Sequence, residues 1–197
     1  MSFIWKPCDI VGSSGTGLLS NGIKWLTQGW REPATEVSHI AHCVKGGDDN
    51  TAILHDALAK HWRGTPAEIY GGNGPLSVYR PLNLSQYQEA IILGESELEY
   101  NRLKGRSYNY SWGYIGLAGL DMLLGERYFF RRMVATRLPV CSTSTSRKWL
   151  KAGLSFGTDA DAVSPDVLFD WMQANQWAYT CVRPFTKLEK RSEEAAK

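Results

Sequence analysis

Apolar positions recur along this chain in two periods, and the switches between them mark out its elements. Near the start, "IWKPCDIVGSSG" reads as an extended segment running into a glycine turn. Leu19, Ile23, Leu26 and Trp30 then fall at helical spacing, so "GLLSNGIKWLTQGW" predicts an amphipathic helix. In "VSHIAHCV" apolar residues alternate with small or polar ones, the pattern of a strand. "GGDDN" follows as a turn signal, "TAILHDAL" predicts the returning strand of a hairpin, and "PLSVYRPL" a further strand. From Ser85 to about Leu103 the spacing predicts a helix closing on Gly105. "YNYSWGYIGLAGLDMLLG" is apolar with several glycines and fits either a buried helix or a lining loop. "PVCSTSTSRKWLKAGL" has a proline before it, hydroxyl residues at its start and Gly153 at its end, which predicts a helix. "SPDVLFDWM" predicts another with a Ser-Pro start. The charged "KLEKRSEEAAK" predicts a disordered tail, which divides the chain into one domain over 1–186 and a tail over 187–197.

Composition narrows the class. The 197 residues are 43% hydrophobic and 21% charged, which suits one well-filled globular domain. A net charge of +2, with Lys and Arg scattered, argues against nucleic acid as a partner. Eight tryptophans are read first as core and rim packing, and second as the lining of an aromatic groove. Cys8, Cys43, Cys141 and Cys181 have no CxxC spacing, so neither a zinc ribbon nor a redox motif is expected. The N-terminus lacks the pattern of a secretory leader, and no apolar run reaches membrane-spanning length. A soluble protein made in the cytoplasm, with free thiols, is the expectation. A phage or viral product released by lysis fits the same observations.

Two histidines and a cysteine fall within "SHIAHC". On a strand successive side chains point to opposite faces, so His39, Ala41 and Cys43 share one face while Ser38, Ile40 and His42 share the other. His39 and His42 therefore cannot hold one metal ion together. His39 and Cys43 share a face, but four residues of strand separate them by roughly 13 Å, too far for a nucleophile and its base. A site here needs a partner from elsewhere. Cys141 is the candidate, because the first turn of its predicted helix favours a thiolate and offers N–H groups to an oxyanion. A histidine opposite it would act as general base and then general acid. A third group should orient that histidine, and the next strand supplies Asp56 or His55, which face opposite sides.

The order of these segments resembles the circularly permuted NlpC-type papain-like cysteine amidases and peptidases. "CDIVG", a helix ending "WLTQG", and "VSHIAHCV" are similar to that family's opening strand, helix and Ser-His strand. "AILHDAL" is similar to its strand ending in an acidic residue and alanine, and "GRSYNYSWGYIGL" to its Gly-x-x-Tyr-Asp-Tyr segment. "VCSTSTSRKWLKAGL" resembles its Cys-Ser helix ending in Ala-Gly, and "SPDVLF" its Ser-Pro-Asp-x-Leu element. The chain departs from the pattern in two places. "TST" stands where the family usually has Glu-Leu-Val after Cys-Ser, and Asp56 stands where Glu is common.

The resemblance implies an α+β fold of permuted papain-like type, with a small antiparallel sheet packed against the cysteine helix. It implies Cys141 as nucleophile, His39 as general base and Asp56 as orienting group. Tyr108, His55 and Ser142 would be supporting residues. It implies a hydrolase that opens an amide bond in a cell-wall peptide or an N-acyl, lipid-type substrate, without cofactor or metal. Two alternatives stand beside it: a non-catalytic binding module on the same scaffold, and an acyltransferase or thioesterase acting on lipid acyl groups. A zinc site built from His39, Cys141 and Asp56 ranks last, for want of closely spaced ligand pairs.

Overall fold

A computed structural model of the chain describes residues 3–15, 37–57, 61–71, 74–104, 141–161, 163–186 and 188. The helix expected over "GLLSNGIKWLTQGW", the "YNYSWGYIGLAGLDMLLG" segment and Tyr108 lie outside the described residues. In chain order the described elements are β1 (Ile10–Ser13), β2 (His39–Lys45), β3 (Ile53–Ala57), β4 (His61–Gly64), α1 (Pro66–Tyr70), β5 (Leu76–Pro81), α2 (Gln86–Leu103), α3 (Cys141–Lys151), α4 (Pro165–Ala174) and β6 (Tyr179–Thr186). The fold is α+β, with one six-stranded antiparallel sheet in the order β4-β3-β2-β1-β5-β6.

The sheet is larger than the expected one. β4 is four residues, "HWRG", too short to announce itself by alternation, and β6 contains Pro184. Proline cannot donate to a ladder, so it is confined to positions such as an edge strand, and β6 is an edge. The short helix α1 also went unsignalled by periodicity, although its start is well marked. The Thr65 hydroxyl accepts from the Glu68 N–H, and the Glu68 carboxylate accepts from the Thr65 N–H.

The other helix signals hold their positions. Ser85 caps α2 in a capping box with Gln88, and Ser164 caps α4 with Pro165 in its first turn. Gly153 follows α3 at φ +77°, a left-handed turn that closes the helix through Leu154 N–H donating to the Trp149 carbonyl.

Strand alternation sorts the apolar residues onto two faces, each with its own core. Ile10, Ile40, Tyr79, Ile92, Trp149, Phe156, Leu168, Phe169 and Met172 pack on the face that carries α2, α3 and α4. Val11, Ala41, Cys43, Leu54, Ile69, Tyr70 and Val78 pack on the other, with Trp5 and α1. Leu188, inside the segment expected to be a tail, is buried in this second core. Trp5 and Trp149 are core residues, as packing would have them, while Trp177 is exposed.

Two backbone details shape the end of β1. Ser14 donates its N–H to the Pro75 carbonyl, and Gly74 passes so close that a Cβ there would overlap the Ser14 carbonyl oxygen. The chain leaving α1 is thereby held against the Ser13 end of β1.

Candidate active site at the start of α3

Antiparallel register fixes the first two members of the site. β1 pairs Ser13 with His39, and β2 pairs Ala41 with Asp56 and His42 with His55. His39, Ala41 and Asp56 thus share the face that carries α1, and His42 and His55 share the opposite one. His39 Nε2 stands 2.9 Å from Asp56 Oδ1 with both residues buried. This is ion-pair distance, but neither atom completes a hydrogen bond of good angle among the described residues, so the contact is electrostatic first.

Cys141 is the first residue of α3, which packs against β2, and the charge of His39 bears on its sulfur. Burial alone would push this thiol up and this imidazole down, since each charged form loses water. The pair reverses both tendencies. For Cys141, burial raises the pKa, but the His39 charge, the His39 hydrogen bond and the Ile40 backbone N–H together bring it below its ordinary 9.0. For His39, burial lowers the pKa, but the charges of Asp56 and Cys141 outweigh it and hold the ring well above 6.5. The two shifts point the same way, each favouring the charged form of its group, with Asp56 behind the ring. Cys43 behaves in the opposite way, its buried thiol pushed up to about 12.

Two expected supporting residues are engaged elsewhere. His55 lies across the sheet from His39, with its Nε2 3.4 Å from Glu99 Oε1. Ser142 is buried and donates its hydroxyl to the Val163 carbonyl at 2.7 Å, which ties α3 to the loop before α4. Sequence reasoning also passes over Tyr70, the last residue of α1, which is buried on the face that carries His39 and Asp56. The legible signal was the Thr65–Glu68 capping box, which places a turn of helix directly before it.

Behind the nucleophile helix lies a second polar cluster. Glu99 of α2 accepts from Lys148 Nζ at 3.0 Å and from the Ser144 hydroxyl. Ser96 donates its hydroxyl to the Ile92 carbonyl, so its oxygen is left to accept from His42 Nε2 at 2.8 Å. That assigns the Nε2–H tautomer to His42, with Nδ1 facing the Thr145 hydroxyl at 3.4 Å. His42 and His55 stack with ring centroids 5.3 Å apart. Burial first, and then Lys148, holds His42 well below 6.5; His55 is lowered by burial against the opposing pull of Glu99.

A pH dependence of stability follows. An unfolded histidine takes its proton near 6.5, which the folded His42 and His55 still refuse, so below that pH the unfolded chain binds more protons and stability falls. Glu99, depressed despite burial by His55, Lys148 and Ser144, adds to the loss below its ordinary 4.5. His39, held well above 6.5, opposes this until the unfolded histidine is itself protonated, so denaturant melts should show stability dropping most clearly between about pH 6 and pH 4. A flat profile would contradict the neutral, buried state of the two rings.

Among the described residues, no group of three or more His, Cys, Asp or Glu is arranged to hold a metal ion, and no helix is long and apolar enough to cross a membrane. No protein-family model matches the chain, and no curated protein matches it. Among solved structures it is similar to one described as the metalloprotein yiiX from Escherichia coli O157:H7, DUF1105, with a TM-score of 0.47 and 15% identity over 94% of this chain and 98% of that one. A likeness of this size carries no statement about the activity of the present chain.

Proposed function

We propose that this chain is a cysteine hydrolase of the permuted papain-like kind, opening an amide bond through a thioester on Cys141. The observation that carries the reading is a buried His39 2.9 Å from Asp56 on the sheet, with Cys141 opening the helix that packs against His39's strand, Cys141 lowered and His39 raised by each other's charge. Buried free cysteines are ordinarily inert and high in pKa, as Cys8 and Cys43 are here at about 12. A buried cysteine held below its ordinary value by a histidine is the arrangement of an activated nucleophile. The chain order His39, Asp56, Cys141, with the cysteine helix following five of the six strands, supports the permuted layout.

The chemistry runs in two halves. The thiolate adds to the carbonyl carbon, a C–S bond forms, and the carbonyl π pair moves onto oxygen. That pair returns, the C–N bond breaks, and the His39 imidazolium gives its proton to the departing amine. The neutral imidazole then takes a proton from water as the water oxygen adds to the thioester carbon. The C–S bond breaks, and the thiolate and imidazolium are restored. Asp56 keeps the ring aimed throughout and stabilises it whenever it carries the proton. The resemblance makes a cell-wall peptide or an N-acyl, lipid-type amide the substrate. Transfer of the acyl group to an acceptor other than water would make the same site an acyltransferase.

Site-resolved alkylation with iodoacetamide tests the pair. At about two units below an ordinary thiol pKa, Cys141 is expected to react while the equally buried Cys8 and Cys43 stay intact. Loss of that preference in His39→Ala is the second expected result. Equal inertness of all three buried thiols would sink the hydrolase reading and leave a binding module on this scaffold.

A further inference from the structure

We infer that His42 and His55 form an acid switch on the nucleophile helix: a proton taken up by this pair loosens α3 from the sheet and withdraws Cys141 from reaction. The inference concerns regulation of the site proposed above and rests on the cysteine-hydrolase reading. Its starting point is a pair of histidines that the reaction does not use. They lie on the face of the sheet opposite His39, each 1% exposed, with their rings stacked at 5.3 Å and 17° between planes. An apolar pair would fill such a space without having to satisfy polar ring nitrogens.

Their contacts run to the helix that begins with Cys141. His42 Nδ1 faces the Thr145 hydroxyl at 3.4 Å, and its ring meets Trp149 edge-on at 5.4 Å. His55 Nε2 lies 3.4 Å from Glu99 Oε1. That same oxygen accepts from Lys148 Nζ at 3.0 Å and from the Ser144 hydroxyl. One carboxylate oxygen therefore serves β3 on one side and α3 on the other. Ser144, Thr145 and Lys148 fall within two turns of Cys141 on a single helix, so contacts that shift them shift its first residue as well.

The charges are balanced only while both rings are neutral. Lys148 and Glu99 offset one another inside the cluster. Arg63 of β4 stands at its rim, over the Tyr100 ring at 4.4 Å and paired with Glu97, and Lys151 pairs with Glu95 further along the two helices. A proton on His55 competes with Lys148 for Glu99 Oε1. A proton on His42 meets hydroxyls: Nε2 already donates to Ser96, and the new Nδ1–H points at Thr145, whose own proton must turn away. Burial and Lys148 hold both rings below 6.5 in this arrangement, against the pull of Glu99. A ring released from it regains the ordinary value near 6.5. Protons thus bind the loosened arrangement more tightly, and acid shifts the population toward it.

The test follows alkylation of Cys141 by iodoacetamide between about pH 7 and pH 4.5 in wild type, His42→Gln and His55→Gln. Glutamine keeps a polar group in place and does not titrate. The acid limb is expected to move down by about one pH unit in each variant, a rate about tenfold above wild type on that limb. A limb that stays in place in both overturns the switch and leaves the hydrolase reading standing, since Cys141 and His39 then set it by themselves. Wild type gives a second measurement that needs no variant. Ring-proton NMR of the four histidines should show His42 and His55 titrating at the midpoint where alkylation is lost, with far-UV circular dichroism retained. Alkylation lost while both rings stay neutral, or lost together with the far-UV signal, also overturns the switch. A wild-type Cys141 that resists alkylation near neutral pH overturns the hydrolase reading itself, and this inference with it.

Discussion

Cys141→Ala and His39→Ala, made singly, are each expected to lower hydrolysis of 4-nitrophenyl acetate by about 10³-fold or more, and made together to cost little beyond either alone. The reason lies in the shared charge. Cys141 is held below its ordinary value chiefly by His39, and His39 is held above 6.5 in part by the charge of Cys141. Removing either dismantles the pair, so the losses cannot multiply. The mechanism has a spectroscopic readout that needs no substrate. The thiolate absorbance of wild type minus Cys141→Ala should appear below the ordinary thiol value of 9.0. In His39→Ala burial and the Asp56 charge are opposed only by the Ile40 backbone N–H, and the same signal should move up. Asp56→Asn removes the charge that does most to raise His39, so the alkaline limb of activity should shift to lower pH. Losses that multiply across the two variants would show that Cys141 and His39 act independently.

The sequence carried the reacting groups further than it carried their surroundings. Strand period two puts His39 and His42 on opposite faces, and Asp56 and His55 likewise, and the observed register joins Asp56 to the face of His39. It also leaves room for only one orienter at His39. What no local pattern could show is why "TST" follows Cys141 and Ser142. Seen as a sequence, these hydroxyl residues make an oddly polar start for a helix whose first six residues are all buried. The structure supplies partners from distant segments: Glu99 for Ser144, and His42 for Thr145. The buried stripe of α2 runs Ile92, Ser96, Leu103 with Glu99 between, and it carries polar groups where a packing stripe would carry apolar ones. Each helix looks wrong alone. They fit because each supplies the other's partners across 45 residues or more of sequence. Tyr70 and its helix were hidden for a related reason, since a five-residue helix shows no period.

Glu99→Gln should destabilise the fold by about 3 kcal/mol, a fall of roughly 6–12 °C in Tm for a chain of this size. Lys148 is buried at 3% side-chain exposure, and its ammonium is held by Glu99 at 3.0 Å and by the Ser144 carbonyl at 3.0 Å. Glutamine keeps the shape and some of the hydrogen bonds but leaves that ammonium without a counter-charge, and His55 without its carboxylate. The cost comes from stranding a buried charge, which gives the prediction its internal control. Glu99→Leu combined with Lys148→Met removes both charges and should recover most of the loss, because an apolar pair often replaces a buried ion pair with little penalty. If the double variant stays as unstable as Glu99→Gln, then the hydroxyls of Ser144 and Thr145 and the ring of His42 depend on the carboxylate itself. In that event the network is a positional device for the nucleophile helix, and the alkylation rate of Cys141 should fall in step with stability. If the double variant recovers stability and Cys141 keeps its low-pH reactivity, the cluster serves to hold α3 on the sheet and contributes nothing further to the thiolate.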